Sequence, residues 1–404
     1  MIEHDRNAGN RGLRIGMLLG SASVAGGGVV EAAGSLARAL CAMPGIDVTL
    51  FAPEDDRLRF DFGDATVVTA PVSGPAAFGY APGLVNAILE RDIDVLHVHG
   101  LWMYMSIAAQ KWARATGRPY LVSPHGMLDE WALRNSRGKK WVARLMFENR
   151  HLRDAACIHA LCAAEGEAVR RAGFHGSLAT VPNGVAAAAT DIAPAAWRRS
   201  IGADEKVLLF LGRITPKKRV TELVEAFGRT WQPGDAWHLV IVGPAPADYL
   251  AEIQGVVDSR VRDRVHLVGP AYGAERASAY ASADAFVLPS VSEGLPMAAL
   301  EAFAHGLPAL LTPACNLPEA FVAGAALSID PFVAGIGGGL RRLFAMSDER
   351  RMAMGAHARR YVREGYDWTE IARRMARLYA GLASRPAPAA RRSRSLTGRA
   401  GLPA

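Results

Sequence analysis

The densest group of residues able to do chemistry is the stretch "VLPSVSEGLPMAALEAFAHGLP", which carries Glu293 and Glu301 around a strand-to-helix junction. Pro296 can stand in the first turn of a helix, where its missing N–H costs nothing. The amides of Leu295, Met297 and Ala298, beside Gly294, then aim the positive end of the helix dipole at an anion such as a diphosphate. The two carboxylates are eight positions apart, roughly 12 Å if the stretch were helical at about 1.5 Å per residue. That is wider than the roughly 5–9.5 Å of the carboxylate pairs that hydrolyse glycosides. It suits one carboxylate accepting from a ribose diol while the other meets a sugar in transfer. A surface acidic pair is the plain alternative, disfavoured because glycine, proline and both acids coincide at one junction.

The positive complement is "LGRITPKKR", with Arg213 after a glycine and Lys217, Lys218 and Arg219 close behind. Alone, such a cluster is more often solvated surface. Beside a helix-terminus anion site it supplies fixed cations for a departing diphosphate, and arginine grips phosphate oxygens with two N–H groups at once. Three consecutive glycines, Gly26, Gly27 and Gly28, form a second candidate loop. They permit tight backbone turns and leave helix amides open to phosphate, without matching the dinucleotide fingerprint of spaced glycines and a later acid. His97 and His99 project to one side of a strand, and His125 follows the next strand. Zinc is one reading of the three; hydrogen-bonded histidines suit His97 and His99 better, while His125 before Gly126 can reach across a cleft. Asp129 and Glu130 stand next to it as acceptor-side candidates, with His99, or as a helix cap.

These residues need strands that end beside one another. Buried strands are predicted at Leu13–Leu19, Ile46–Ala52, Asp94–His99, Pro119–Pro124, Ala156–Leu161 and Leu178–Pro182, with a helix over Val29–Cys41. A lapse into small residues and proline after "PNGV" reads as a linker. A second series follows: strands at Lys206–Gly212, Trp237–Gly243, Arg264–Gly269, Ala285–Ser290 and Pro308–Thr312, and helices over Val220–Thr230, Glu275–Ser282 and from Met297. Strands alternating with helices give parallel sheets covered on both faces, so two doubly wound α/β domains are expected. The boundaries read as residues 1–190, 200–363, a helix over 364–383 packing back on the first domain, and a basic tail at 384–404.

A chain of 404 residues is long enough to split into two hydrophobic cores. Four scattered cysteines, Cys41, Cys157, Cys162 and Cys315, read as reduced thiols rather than disulfides or a metal site. The formal charge of +7 is largely the tail, whose five arginines leave +7 − 5 = +2 elsewhere. Without interleaved aromatics that tail does not read as a specific nucleic-acid binder. The polar N-terminus and the lack of a long apolar run predict a cytoplasmic protein, at most peripheral on the inner face of the membrane. "RNSRGKKWVARLMFENRHLR" mixes basic and apolar residues, which suits either an anionic membrane surface or an ordinary amphipathic helix.

Taken together, "SEGLPMAALEAFAHGLP", "GGGVVEAAGSLARAL", "SPHG", "VPNGV" and "GRITPKKR" resemble the retaining glycosyltransferases of family 4, with the GT-B fold of two Rossmann-like domains facing across a cleft. The resemblance runs over about Leu13–Leu382. It implies that Glu301 binds the donor ribose, that Glu293 contacts the donor hexose, and that Arg213 and Lys218 hold the diphosphate. His125 then bonds the donor sugar, with Gly27 and Gly28 as the first-domain glycine pair. Two positions depart from the pattern: Arg219 stands where a glycine usually follows the lysine, and Ala186 where the linker motif often ends in aspartate. The implied reaction moves a hexose from a UDP- or GDP-sugar to a glycan or lipid-linked acceptor with retained configuration and needs no cofactor or divalent metal; the longer stretch "HGLWMYMSIAAQKWARATGRPYLVSPHGMLDEWALRNSRGKKW" resembles bacterial members that build exopolysaccharide or other surface glycans. A sugar-nucleotide epimerase on a related scaffold and a non-enzymic carbohydrate-binding protein are the alternatives, separable by product analysis and donor turnover.

Overall fold

The computed structural model describes residues 12–57, 60–75 and 77–384. The basic tail after Ser384 and most of the polar N-terminus lie outside the described residues. Among the described residues thirteen strands form two parallel sheets. The first contains β1 (Leu13–Leu19), β2 (Ile46–Pro53), β3 (Thr66–Ala70), β4 (Val95–His99), β5 (Tyr120–Ser123), β6 (Cys157–Ala160) and β7 (Leu178–Thr180), in the order β3-β2-β1-β4-β5-β6-β7. The second contains β8 (Lys206–Leu211), β9 (Trp237–Val242), β10 (Val265–Gly269), β11 (Ala285–Leu288), β12 (Ala309–Leu311) and β13 (Ala326–Ser328), in the order β10-β9-β8-β11-β12-β13. The doubly wound two-domain architecture expected from the alternation is the one observed.

Most predicted strands appear within a residue or two of their expected ends, because buried apolar runs flanked by glycine or proline leave little choice of register. Strands β3 and β13 were not expected. The first is a partly exposed edge strand, "TVVTA", and the second has three residues, so neither carries a full buried run. The helix predicted over Val29–Cys41 begins at Gly27, drawing the glycines into its first turn.

Each sheet reverses its strand order once, between β1 and β4 in the first domain and between β8 and β11 in the second. At such a reversal the loops leaving adjacent strands diverge and open a crevice at the carboxyl edge. The glycine loop leaves β1, Gly100 follows β4, the Arg213 loop leaves β8 and the Glu293 loop leaves β11. Both switch points therefore carry candidate residues.

The chain crosses between domains twice. Val181 belongs to the first-domain core and Val185 to the second. The return crossing is beside it: the Val185 amide donates to the Tyr366 carbonyl at 2.8 Å, and a side chain on Gly184 would strike the Trp368 ring at 2.5 Å. The helix Trp368–Ala383 then packs on the first domain, against the helix Gly27–Cys41 and β4, burying Ile371, Met375, Tyr379 and Leu382 in that domain's core. Asp367 starts it by accepting from the Thr369 and Glu370 amides, a side-chain cap typically worth about 1 kcal/mol.

A buried polar relay fixes that helix. Tyr379 Oη meets His97 Nδ1 at 2.7 Å, His97 Nε2 meets Ser123 Oγ at 2.6 Å, and Ser123 Oγ meets His159 Nδ1 at 2.6 Å. His159 Nε2 ends on the Val181 carbonyl at 2.7 Å. A carbonyl only accepts, so His159 Nε2 carries the proton, and each earlier member must donate toward it: Tyr379 to His97, His97 to Ser123, Ser123 to His159. Burial pushes His97 well below the usual imidazole range and His159 down to about 4, so both are neutral as the relay requires.

Candidate active site

The helix Met297–Ala304 starts where expected, but Pro296 is its cap rather than its first helical residue. The Ala299 and Leu300 amides donate to the Pro296 carbonyl at 3.0 and 3.2 Å. In helix geometry the amides of Met297 and Ala298 have no intrahelical acceptor, which leaves them for an anion. Ala299, Leu300, Ala302 and Phe303 bury the opposite face, so the helix is held firmly while its amino end faces the cleft. Leu295 and Met297 are half-buried against the same core.

The preceding loop is braced from below. The Glu293 amide donates to Ala314 at 3.1 Å, and Asn316 Nδ2 donates to the carbonyls of Glu293 at 2.6 Å and Gly294 at 3.1 Å. Asn316 does this from a left-handed backbone, φ 57°, which asparagine tolerates better than most residues. Its part in the site is not visible in the sequence beyond its place between "PAC" and "LP".

Lys218 Nζ lies 2.5 Å from Glu293 Oε1, their side chains 13% and 8% exposed. Two residues separated by 75 positions are thus one nearly buried ion pair. Lys217 turns the other way, over the Trp131 ring of the first domain at 5.1 Å, and its burial lowers its pKa against the opposing pull of Glu293. Arg213 is exposed at the exit of β8. Arg219 has φ 55° and ψ 39°, the left-handed conformation that glycine adopts freely, and its guanidinium pairs with Glu222.

From the first domain, His125 and Gly126 form a turn with φ 51° and 75°. Glu165, nearly buried, holds it by accepting the Gly126 amide at 2.5 Å and the Leu161 amide at 2.6 Å. His125 Nε2 meets His99 Nδ1 at 3.0 Å, and burial with the nearby His159 depresses its pKa to about 3, so it is a neutral imidazole. His99 is 3% exposed and lies beneath His125, so it supports that ring instead of meeting an acceptor. Among the described residues no group of three or more His, Cys, Asp and Glu is placed to hold a metal ion, and both His97 nitrogens are engaged in the relay. Asp129 caps the helix Glu130–Arg134 and also accepts the Ser292 hydroxyl from the second domain. Glu130 is exposed and paired with Arg134 at 2.6 Å, which leaves Asp129 as the cleft-facing member of the two.

The two halves meet closely here. A side chain on Gly294 would come within 3.9 Å of Gly126 Cα, and the Cys162 thiol donates to the Gly294 carbonyl at 3.7 Å. None of the four cysteines is in a disulfide. On the other flank Gly27 has φ 60° and ψ −143°, a region essentially confined to glycine, and Gly27 and Gly28 have open space where a side chain would project. One turn along that helix, Glu31 binds Arg276 through both guanidinium Nη atoms, and Arg276 Nη2 also contacts Glu301 Oε1 at 3.2 Å. Glu301 is raised to about 7 by burial, against the pull of Arg276. Arg276 and Glu31 were missed by sequence reading, since 245 positions separate them and each sits inside an unexceptional amphipathic helix.

The profile described as the glycosyl transferase 4-like domain matches residues 27–184, and that described as glycosyl transferases group 1 matches residues 205–337. A D-inositol 3-phosphate glycosyltransferase of Kineococcus radiotolerans is 28% identical over 72% of this chain and 72% of its own. A GDP-mannose:cellobiosyl-diphosphopolyprenol alpha-mannosyltransferase of Xanthomonas campestris is 26% identical over 59% of this chain and 60% of its own. Against an uncharacterised glycosyltransferase of Methanocaldococcus jannaschii, 37% identical, the match spans 30% of this chain and 32% of that one. Among solved structures, an Anabaena protein in complex with UDP and glucose superposes with a TM-score of 0.72 at 18% identity, covering 91% of this chain and all of its own. That likeness concerns the fold.

Proposed function

This chain belongs to the group 1 glycosyltransferases, and we propose that within them it is a retaining hexosyltransferase, using a UDP- or GDP-hexose and a lipid-linked acceptor in bacterial surface polysaccharide synthesis. The observation that carries the reading is the Lys218–Glu293 pair at the amino end of the helix Met297–Ala304, with Glu301 one turn further along. In this reading the Met297 and Ala298 amides, Arg213 and Lys218 receive the diphosphate. Glu301 accepts from the ribose, Glu293 and neutral His125 hold the hexose, and Gly27 and Gly28 let the first-domain backbone approach.

The glycosidic bond breaks with its electron pair passing to the diphosphate oxygen. That oxygen takes the proton of the acceptor hydroxyl as the new bond forms on the same face, so no enzymic nucleophile is needed. Fixed cations and helix amides stabilise the charge that develops, which in this reading is the part a divalent metal would otherwise play.

The Xanthomonas relative is named for a GDP-mannose donor and a diphosphopolyprenol-linked acceptor, which supports a nucleotide sugar and a lipid-linked partner. So does one exposed stretch of chain: Trp141 and Leu145 are each 63% exposed and Met146 75%, near in sequence to exposed Arg137, Lys139 and Arg150. Apolar side chains within a basic rim suit the inner surface of an anionic membrane. Among the described residues no helix is long and apolar enough to cross one.

The test is turnover of a panel of UDP- and GDP-hexoses with polyprenyl-diphosphate-linked sugars, with the linkage and anomer of the product read by NMR. Release of nucleoside diphosphate in step with a product of retained configuration is expected. An isomerised nucleotide sugar, an inverted anomer, or glycan binding without donor consumption overturns the reading.

A further inference from the structure

Arg276 stands between carboxylates of opposite domains. Its planar fork of N–H groups matches one carboxylate at a time with two parallel bonds. In this structure the fork is given to Glu31, on the helix that follows the glycine loop, and Glu301 receives a single contact at 3.2 Å. An ionised carboxylate offers about four acceptor positions. One arginine contact, beside the Tyr280 hydroxyl that also lies on this carboxylate, leaves Glu301 about two positions for the hydroxyls of a diol, whereas a full fork leaves about one and covers both oxygens.

We propose that Glu31, Arg276 and Glu301 form a cross-domain switch for the donor: with the cleft closed, Glu31 draws the guanidinium away from Glu301 and frees that carboxylate for the donor ribose. With the cleft open, Glu31 leaves and the fork closes on Glu301, masking it. Arg276 is thus a positioning residue, and the first domain prepares a site that the second domain carries. The proposal rests on the assignment of Glu301 to the ribose.

The groups facing Glu301 are Arg276 and Tyr280 from the helix Gly273–Ala281 and Glu31 from the helix Gly27–Cys41. Tyr280 shares its hydroxyl between the Ala298 carbonyl, 3.1 Å away, and the Glu301 carboxylate. His305 stacks on Tyr280 with ring centroids 5.3 Å apart, and Arg359, from the helix Asp348–Gly365, donates to the His305 carbonyl. Arg276 is the cation in contact with Glu301. Removing it does more than unmask the carboxylate, because the buried group then gives up its charge at neutral pH and loses acceptor capacity.

The switch is tested by calorimetric binding of UDP and GDP, whichever the wild type takes, at pH 6 to 9, with melting temperatures to verify folding. Glu31→Gln is expected to weaken binding about tenfold at pH 8 to 9, the scale of one lost hydrogen bond to a charged group, and somewhat less near pH 6, where loss of the Glu31 charge also helps Glu301 ionise. Arg276→Ala is expected to weaken it at pH 6–7 and recover toward pH 9, with Arg276→Lys intermediate. The Glu31→Gln defect should shrink with the 2′-deoxy nucleotide, which places fewer hydroxyls on Glu301.

Binding by Glu31→Gln within about twofold of wild type, an equal defect with the 2′-deoxy nucleotide, or a pH-independent Arg276→Ala defect overturns the switch. Glu301→Ala separates the two levels. Normal binding there removes the ribose assignment itself, while loss there with normal Glu31→Gln and Arg276→Ala removes the switch alone.

Discussion

Removing Lys218 should damage the protein twice, and the two damages can be told apart. The ammonium sits 2.5 Å from Glu293 with 13% and 8% of the two side chains exposed, so Lys218→Ala strands a carboxylate with little water to replace its partner. Breaking a buried pair from one side costs about 3–5 kcal/mol, and the residual exposure places this case near 3 kcal/mol. For a domain of this size each kcal/mol moves the melting temperature by about 2–4 °C, so a fall of about 6–12 °C is expected by calorimetry. Chemistry loses more, since removing one fixed donor from a developing charge costs about 10²- to 10³-fold in kcat. The control is the double variant Lys218→Met with Glu293→Gln. It removes the stranded charge and should regain most of the lost stability while turnover stays low. If the double variant regains turnover along with stability, the ammonium serves only to neutralise Glu293 and the diphosphate assignment fails.

Three further outcomes follow from single contacts. Glu301 must be ionised to accept a diol fully, and burial raises it to about 7, so wild-type affinity for the nucleoside diphosphate should rise as pH increases through 7; affinity falling over that range in a binding titration contradicts the role. Arg219 holds a left-handed backbone at φ 55°, which costs a residue with a side chain roughly 1–2 kcal/mol. Arg219→Gly should therefore be more stable than Arg219→Ala by about 1 kcal/mol in thermal denaturation, and the reverse order would show that no strain resides there. Tyr379→Phe strips the donor from the buried His97 Nδ1 and should cost about 1–3 kcal/mol in chemical denaturation without altering donor affinity.

The parts of the fold legible in the sequence were those where one local rule decides. β8 and β9 are short buried runs closed by Gly212 and Gly243, and the helix Val220–Thr230 buries Leu223, Val224 and Phe227 at helical spacing; each was expected within a residue. The loop of Glu293 was legible because glycine, proline and acids coincide there. Arg276, Glu31, Glu165 and Asn316 were not, since each acts through a partner fixed only by tertiary packing. Asp129 and Glu130 show the same limit within two adjacent residues. Sequence offers both to the cleft, and the direction of the short helix gives it Asp129 while Glu130 turns to Arg134.

The way the domains touch also bears on how such a site can work. The apolar residues divide into separate clusters, that of the second domain apart from those of the first. Across the cleft the contacts are of another kind: Asp129 with Ser292, Trp131 with Lys217, Cys162 with the Gly294 carbonyl, and Glu31 with Arg276. Polar contacts of this sort exchange readily for water, so these four resist separation of the domains only weakly. The crossings resist more strongly. Val181 and Val185 are anchored in different cores, the return chain runs parallel to the outgoing one at Val185 and Asp367, and the following helix is sealed to the first domain by Met375, Tyr379 and Leu382. Relative movement is therefore least costly as rotation about the paired crossings, which opens the carboxyl edges of both sheets and parts the contacts that cross between them.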